Sequence, residues 1–195
     1  MAAIQLLGES RDEKFTDTYL NNLYDESDRV TYAAAIALGK SRSTKAFEAL
    51  LALRKKPSWK NQSLIACLQG LKWLGDSKGK AIALEALIDK DAEPRWTLAV
   101  PIWDFRVSAA ETLAALKHTD AAQKIINERF YQSLQDNDIN DIFNNALLAA
   151  YLGDTTGNVI FDQLKEKYSK DENIIQAVTA LARRYESSKK SKQLK

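Results

Sequence analysis

The chain has 195 residues, of which 45% are apolar, with only seven glycines and three prolines. This length and apolar content suffice for one or at most two compact domains, and the scarcity of Gly and Pro favours helices over a sheet with many turns. No apolar run reaches the roughly 18–20 residues that span a bilayer, and the start of the chain lacks the basic stretch of a secretory signal. A membrane span and a leader within this sequence are therefore not expected.

The net charge of +2 is unevenly distributed along the chain. Residues 183–195 contain six Lys or Arg and one acidic residue, so residues 1–182 hold 22 basic and 25 acidic side chains, a net charge of −3. A mildly acidic body is a poor electrostatic footprint for nucleic acid. We predict that residues 186–195 form a disordered basic tail. The single cysteine, Cys67, lies on an apolar helical stripe and is predicted to pack in the core.

A helix ending recurs along the chain as Leu followed by Gly or Ala. The successive spacings are 31, 36, 39, 39 and 29 residues, and periods of this size indicate an array of helix pairs. The first copy follows barely two turns of helix. We therefore predict that residues 1–185 are a single array that begins within a repeat, as a fragment of a larger protein. The copies are Leu7-Gly8, Leu38-Gly39, Leu74-Gly75, Leu113-Ala114 and Leu152-Gly153, with a weaker one at Leu181-Ala182.

The clearest pair of helices covers residues 28–56. Gly39 is predicted to end its first helix in the left-handed conformation, and Pro57 prevents its second helix from continuing. Each pair has an apolar face too wide to bury alone, so stacking on neighbouring pairs creates the core. The sequence predicts an all-α, right-handed α-solenoid of about five helix pairs with no sheet. The remaining predicted helices span about 58–75, 78–88, 101–116, 119–134, 138–152, 155–168 and 171–185.

The segment from Arg29 to Lys40, RVTYAAAIALGK, resembles the HEAT-like repeat first described in phycobilin lyases. This resemblance implies the fold and not a function. The variable spacing argues against tetratricopeptide repeats, which keep a fixed period of about 34 residues.

The connection between Ile88 and Asp104 is about twice as long as the others. It contains or adjoins Arg95, Trp96, Trp103 and Arg106. Insertions in solenoids often map to the binding face, and exposed Trp and Arg are typical interface anchors. These four residues are therefore a candidate interface. The alternative is that both Trp side chains fold back and fill the joint between two repeats.

A second candidate interface lies in DNDINDIFNN, residues 136–145. Armadillo-type solenoids use helix asparagines to hold extended peptides, which makes Asn144 and Asn145 candidate peptide contacts. Capping and solvation of a helix start explain the same residues.

The sequence contains no recognisable catalytic or metal site. Its only histidine, His118, lies in a predicted turn, whereas a zinc site needs several His, Cys or carboxylate ligands at suitable spacing. There is no H-E-x-x-H motif, no G-x-S-x-G motif and no phosphate-binding glycine loop. We therefore expect no catalytic residue, no metal ligand and no cofactor in this chain.

Longer stretches resemble the C-terminal HEAT region of bacterial zinc aminopeptidases of the aminopeptidase N and puromycin-sensitive type. The resemblance implies a non-catalytic domain that packs on an upstream catalytic domain, where the zinc would be bound, and limits which peptides enter. Its partners would be that domain and the peptide substrate, with segment 96–106 as the contact surface. The stretches are residues 28–40, 57–64, 94–99, 103–106 and 137–145.

Three other functions remain open from the sequence. The first is a free-standing HEAT-repeat scaffold that binds a protein or peptide partner. The second is a HEAT-fold DNA glycosylase, which Trp103, Asp104 and Arg106 suggest and the acidic body opposes. The third is a bilin-lyase subunit, which only the generic repeat supports.

Overall fold

The computed structural model describes residues 1–89, 105–152 and 156–193, and these residues form α-helices with short connections and no strand. Two single-turn 3-10 helices, Glu13–Phe15 and Trp59–Asn61, precede α2 and α5. The all-α fold predicted from the repeat spacing is confirmed. In the described ranges the α-helices are α1 (Ala2–Glu9), α2 (Thr16–Asn21), α3 (Asp28–Ser41), α4 (Ala46–Arg54), α5 (Gln62–Leu74), α6 (Gly79–Ile88), α7 (Phe105–Ala115), α8 (Thr119–Asp136), α9 (Ile139–Leu152), α10 (Thr156–Lys167) and α11 (Glu172–Gln193).

The helices are arranged in two layers. The odd-numbered helices pack directly on one another in chain order, from α1 on α3 through to α9 on α11. The even-numbered helices pack on the odd-numbered ones and contact each other much less. The odd-numbered helices therefore form one continuous layer, and the even-numbered helices cover one side of it. This is an α-solenoid of stacked helix pairs.

Small residues set the distance between neighbouring odd-numbered helices. A Cβ atom built on Gly39 of α3 would lie only 2.1 Å from the carbonyl oxygen of Gly70 on α5. On the other side of α3, a Cβ atom on Gly8 would lie 2.8 Å from the Cβ atom of Ala37. All the alanines of α3 are buried as well. Helix backbones approach this closely only where side chains are absent or very small.

The role of Gly39 therefore differs from the predicted one. The helix does not end at Gly39 but continues to Ser41, and Arg42 adopts the left-handed conformation with φ of 53°. The prediction that Gly39 is a left-handed helix end was wrong, because the glycine is required by the close approach of α5. At Gly75, in contrast, φ is 74° and the glycine ends α5 as predicted.

Helix α5 begins later than predicted. The sequence places its start at residue 58, whereas Trp59–Asn61 form a 3-10 turn, Asn61 adopts the left-handed conformation and α5 begins at Gln62. The hydroxyl of Ser58 accepts a hydrogen bond at 2.8 Å from the backbone N–H of Ser63 in the first turn of α5. The predicted burial of Cys67 is confirmed. Cys67 is completely buried in the core, and this burial raises the pKa of its thiol to about 12. A thiol in this environment is a packing residue and not a nucleophile.

Polar contacts join neighbouring repeats. The buried hydroxyl of Thr112 on α7 lies 2.7 Å from the carbonyl oxygen of Ser108 in its own helix and 3.0 Å from that of Leu68 on α5. The guanidinium of Arg129 on α8 donates hydrogen bonds to the carbonyl oxygens of Leu87, at 3.0 Å, and Ile88, at 2.7 Å. The last carbonyls of a helix have no partner within the helix. Arg129 therefore caps the C-terminal end of α6.

The C-terminal end of the chain differs from the predicted disordered tail. Helix α11 extends to Gln193, so residues 186–193 are helical. This segment contains no Gly or Pro, and Glu, Lys and Gln have favourable helix propensities.

Candidate protein-interaction face

The exposed side of the odd-numbered layer, called here the inner face, contains a groove near its N-terminal end. The groove has a volume of about 240 Å³ and lies between α1 and α3, with one wall formed by Trp73 of α5. Its apolar and aromatic lining comes mainly from Tyr32, Ile36 and Trp73. Small residues of α1 and α3 leave the space open, since Gly8 and Ala33 line the same groove.

An ion pair lies along the groove. The Nζ atom of Lys40 is 2.5 Å from Oε1 of Glu9 and 4.5 Å from the centroid of the Trp73 ring. The hydrogen bond from Lys40, followed by its charge, lowers the pKa of the Glu9 carboxyl. The Lys40 side chain is only 9% exposed. The pair therefore contributes little net charge, and the groove presents mainly apolar surface.

A cluster of charged and aromatic side chains occupies the middle of the inner face. The Oε2 atom of Glu111 on α7 accepts hydrogen bonds from Nε2 of Gln69 at 2.9 Å and Nζ of Lys72 at 3.0 Å, both on α5. Arg184 of α11 lies 3.7 Å from the other carboxylate oxygen and stacks on Tyr151 of α9 at 4.5 Å. This central cluster (Gln69, Lys72, Glu111, Tyr151 and Arg184) thus joins four successive odd-numbered helices.

The charge of Glu111 affects two tyrosines of the inner face. The pKa of Tyr32 is raised, chiefly by burial and then by the negative charge of Glu111. The pKa of Tyr151 is raised as well, chiefly by burial; Arg184 opposes this effect and Glu111 adds to it. Both phenols therefore keep their protons at neutral pH and can donate hydrogen bonds to a ligand.

The inner face has the chemistry of a binding surface. In the parts of the chain that the structure describes, no group of three or more His, Cys, Asp or Glu side chains could hold a metal ion. None of the described helices combines the length and the apolar character needed to cross a membrane. Tyrosine, tryptophan and arginine, which line the groove and the central cluster, are the residue types enriched at the energetic centres of protein interfaces.

The predicted interface residues lie elsewhere. Arg95, Trp96 and Trp103 fall outside the described residues. Arg106 is on α7 but only 6% exposed. Its positive charge helps to lower the pKa of Arg129, at the joint between α6, α7 and α8. No observation tests these four residues as an interface, which stays a prediction.

Asn144 and Asn145 lie in α9 and are 2% and 5% exposed. The amide of Asn145 donates a hydrogen bond to the backbone carbonyl of Asp141 at 2.7 Å, and the amide of Asn144 lies 3.5 Å from the Asp141 carboxylate. Local hydrogen bonding within the helix thus accounts for contacts that these amides make. Their role as peptide contacts stays a prediction.

The residues of the inner face could have been found from the repeat spacing. Ile36, Lys72 and Glu111 each stand two positions before a leucine of the recurrent helix ending. Equivalent positions of stacked repeats face the same side, so this spacing places the three side chains in one row. The aromatic residues of the long connection predict an interface in a different part of the molecule.

Comparisons with known proteins agree with the fold. A family model described as the PBS lyase HEAT-like repeat matches residues 30–55. No curated protein matches the chain in sequence. A solved structure of the complex of CpcE and CpcF of phycocyanin lyase from Nostoc sp. PCC7120 is similar, with a TM-score of 0.53 and 22% identity. The likeness covers 91% of this chain and 67% of that chain, and at this identity it shows the fold alone.

These comparisons confirm the HEAT-like repeat that the Arg29–Lys40 segment predicted. They do not point to a zinc aminopeptidase, so the predicted relationship to that class of enzyme is without support. The fold is an all-α solenoid of helix pairs, in which residues 30–55 match the HEAT-like repeat.

Proposed function

We propose that this chain is a HEAT-like repeat scaffold that binds a protein partner along its inner face. The observation that carries the proposal is the central cluster, where α5, α7, α9 and α11 together present Lys72, Glu111, Tyr151 and Arg184 on one surface. Solenoids form extended concave surfaces of this kind and use them for binding.

The contacts within the cluster favour binding because they hold the side chains in place before a partner arrives. Lys72 is fixed by Glu111, and Arg184 is fixed by Tyr151 and Glu111. Immobilising a long side chain at an interface costs about 0.5–1.5 kcal/mol. A side chain that is already ordered avoids part of that cost, so the inner face is suited to recognition without a large rearrangement.

The structural likeness supports a protein partner in particular. The similar solved structure is a complex of two proteins, CpcE and CpcF. The lyase activity of that complex is not proposed for this chain, because the likeness extends only to the fold.

The sequence resemblance to a zinc aminopeptidase implies a narrower version of the same function, in which the partner is an adjacent catalytic domain and its peptide substrate. No observation on the described residues favours this version over a general scaffold. A DNA-binding role fits the inner face poorly, because Glu9 and Glu111 lie among its cations.

The test compares two charge-reversal variants with the unaltered chain. Lys72→Glu and Arg184→Glu together reverse the cations of the inner face, whereas Lys124→Glu changes a well-exposed side chain of α8 in the even-numbered layer. Proteins captured by the unaltered chain are purified, and the binding of each is measured by titration calorimetry. We expect the double variant to weaken binding about tenfold or more and Lys124→Glu to leave it unchanged. Equal binding by all three chains would refute the proposal.

A further inference from the structure

We infer that the partner presents a peptide segment with a carboxylate that binds to Lys72 and Arg184 on their solvent side, beside Glu111, and an apolar side chain that enters the groove beside Trp73. This inference rests on the proposed function and adds the chemistry of the bound segment to it.

The charges of the central cluster support the carboxylate. Lys72 and Arg184 share a single carboxylate, that of Glu111, so the cluster has one positive charge in excess. The ammonium of Lys72 has three N–H groups, and its contacts are with Glu111 at 3.0 Å and Gln69 at 3.5 Å. A further acceptor can therefore be bound without breaking the contact with Glu111.

Arg184 supports the same conclusion. Its guanidinium is 3.7 Å from the Glu111 oxygen, which is longer than the 2.7–2.9 Å of a strong charge-assisted hydrogen bond. The side chain is 49% exposed and its Cζ atom lies 4.5 Å from the centroid of the Tyr151 ring, so the guanidinium contacts the ring while part of it faces solvent. An arginine in this arrangement can form a bidentate pair with an incoming carboxylate.

The groove selects a different kind of group. Its volume of about 240 Å³ is below the roughly 300–1,000 Å³ of pockets for drug-sized molecules, so it is suited to a single side chain. The charges on its border, those of Lys40 and Glu9, already neutralise each other. The remaining lining of Tyr32, Ile36 and Trp73 gains most from an apolar or aromatic side chain.

The two sites are neighbours on the same helix. Lys72 belongs to the central cluster and Trp73 to the groove, and the two residues are consecutive in α5. A single short segment can therefore reach both sites, with its acidic residue within a few positions of its apolar residue. The carboxylate would lie toward α7 and α11, and the apolar side chain toward α1 and α3.

A peptide fits these observations better than a nucleic acid. The phosphates of a nucleic acid would need a continuous run of cations, whereas Glu111 lies between Lys72 and Arg184. Residues 1–182 also carry a net charge of −3 from 22 basic and 25 acidic side chains. A single carboxylate offsets the one excess positive charge of the cluster, whereas a run of phosphates would bring several negative charges close to Glu111.

The experiment selects binders from a phage-displayed library of random peptides of about twelve residues on the purified full-length chain. Enriched peptides are synthesised and their dissociation constants are measured by fluorescence anisotropy. We expect enriched sequences to carry Asp or Glu within a few positions of Leu, Phe or Trp. The double variant Lys72→Gln with Arg184→Gln should weaken their binding about tenfold or more. Lys124→Gln serves as the matched control on α8, and circular dichroism verifies that each variant is folded.

A double-mutant cycle locates the carboxylate. Replacing the peptide's Asp by Asn, or Glu by Gln, should weaken binding to the unaltered chain and have little effect on binding to the double variant. Enrichment of neutral or basic peptides whose binding still depends on the inner face would overturn this inference and leave the proposed function standing. Peptides that bind the double variant as well as the unaltered chain would overturn both. A selection without enrichment would also contradict the inference.

Discussion

The close contact between Gly39 and Gly70 makes the strongest prediction about stability. In Gly39→Ala, the new Cβ atom would lie 2.1 Å from the carbonyl oxygen of Gly70, 2.9 Å from its carbonyl carbon and 3.2 Å from its Cα atom. All three atoms belong to the backbone of α5 and cannot rotate away as a side chain could. Helices α3 and α5 must therefore move apart by more than 1 Å before the shortest contact reaches the 3.4 Å at which ordinary contact begins.

Two opposing effects determine the size of the change. Overpacking a well-packed interior typically costs about 1–3 kcal/mol, and a clash with backbone places this substitution at the upper end, about 3 kcal/mol. Alanine has a better helix propensity than glycine, which returns about 1 kcal/mol. We expect the free energy of unfolding to fall by about 2 kcal/mol, which for a chain of this size lowers Tm by about 4–8 °C.

The measurement is thermal and urea unfolding of Gly39→Ala followed by circular dichroism. Gly75→Asn is the control, because Gly75 has a left-handed φ of 74° with no atom within 4 Å of an added Cβ atom, and asparagine tolerates this conformation. The control should cost about 1 kcal/mol, less than Gly39→Ala, because only the left-handed backbone at residue 75 is strained and no neighbour has to move. If Gly39→Ala is neutral or stabilising, helix propensity outweighs packing at this site and the explanation of the glycine is wrong.

Three further predictions concern buried groups. Arg129→Met should lower the free energy of unfolding in urea by about 2 kcal/mol, because it leaves the last carbonyls of α6 without their donor. Arg129→Lys should lower it by less. An unchanged midpoint for both variants would contradict the capping role. Thr112→Val removes the contact of the hydroxyl with Leu68 O and should lower the free energy of unfolding by about 1 kcal/mol. Equilibrium unfolding measures this change, and a variant more stable than the unaltered chain would contradict the prediction. Burial raises the pKa of the Cys67 thiol to about 12. At about pH 8 the native protein should therefore react with a disulfide reagent only as fast as it unfolds. Rapid stoichiometric labelling without denaturant would contradict this prediction.

The sequence predicted the fold well because the repeat spacing is a direct consequence of helix stacking. Each pair has to bury its apolar face on the next, so the recurrent leucine marks equivalent helices along the chain. The predicted helix over about residues 58–75 depends on local rules for helix termination, and it ends at Gly75 as predicted, although it begins only at Gln62.

Gly39 and the C-terminal tail show where local rules fail. A glycine near the predicted end of a helix is most simply interpreted as a cap, whereas the structure uses Gly39 for the approach of a helix about thirty residues away in sequence. The charge of the C-terminal tail predicts disorder. A basic segment without Gly or Pro at the end of an existing helix can nevertheless continue that helix, here to Gln193. In both cases the tertiary neighbour or the preceding helix decides the structure.

The inner face shows how a binding surface can be present in the sequence without being conspicuous. No single repeat contains the central cluster, because Lys72 and Glu111 are 39 residues apart in the chain and Arg184 lies two repeats further on. The same 39-residue interval separates Leu74 from Leu113, the recurrent residues of their two helices. Repeats that stack in register bring equivalent positions together, so a cation and an anion two positions before each leucine must face each other. Equivalent positions of successive repeats therefore predict this pair, whereas the tryptophans of the long connection predict an interface elsewhere.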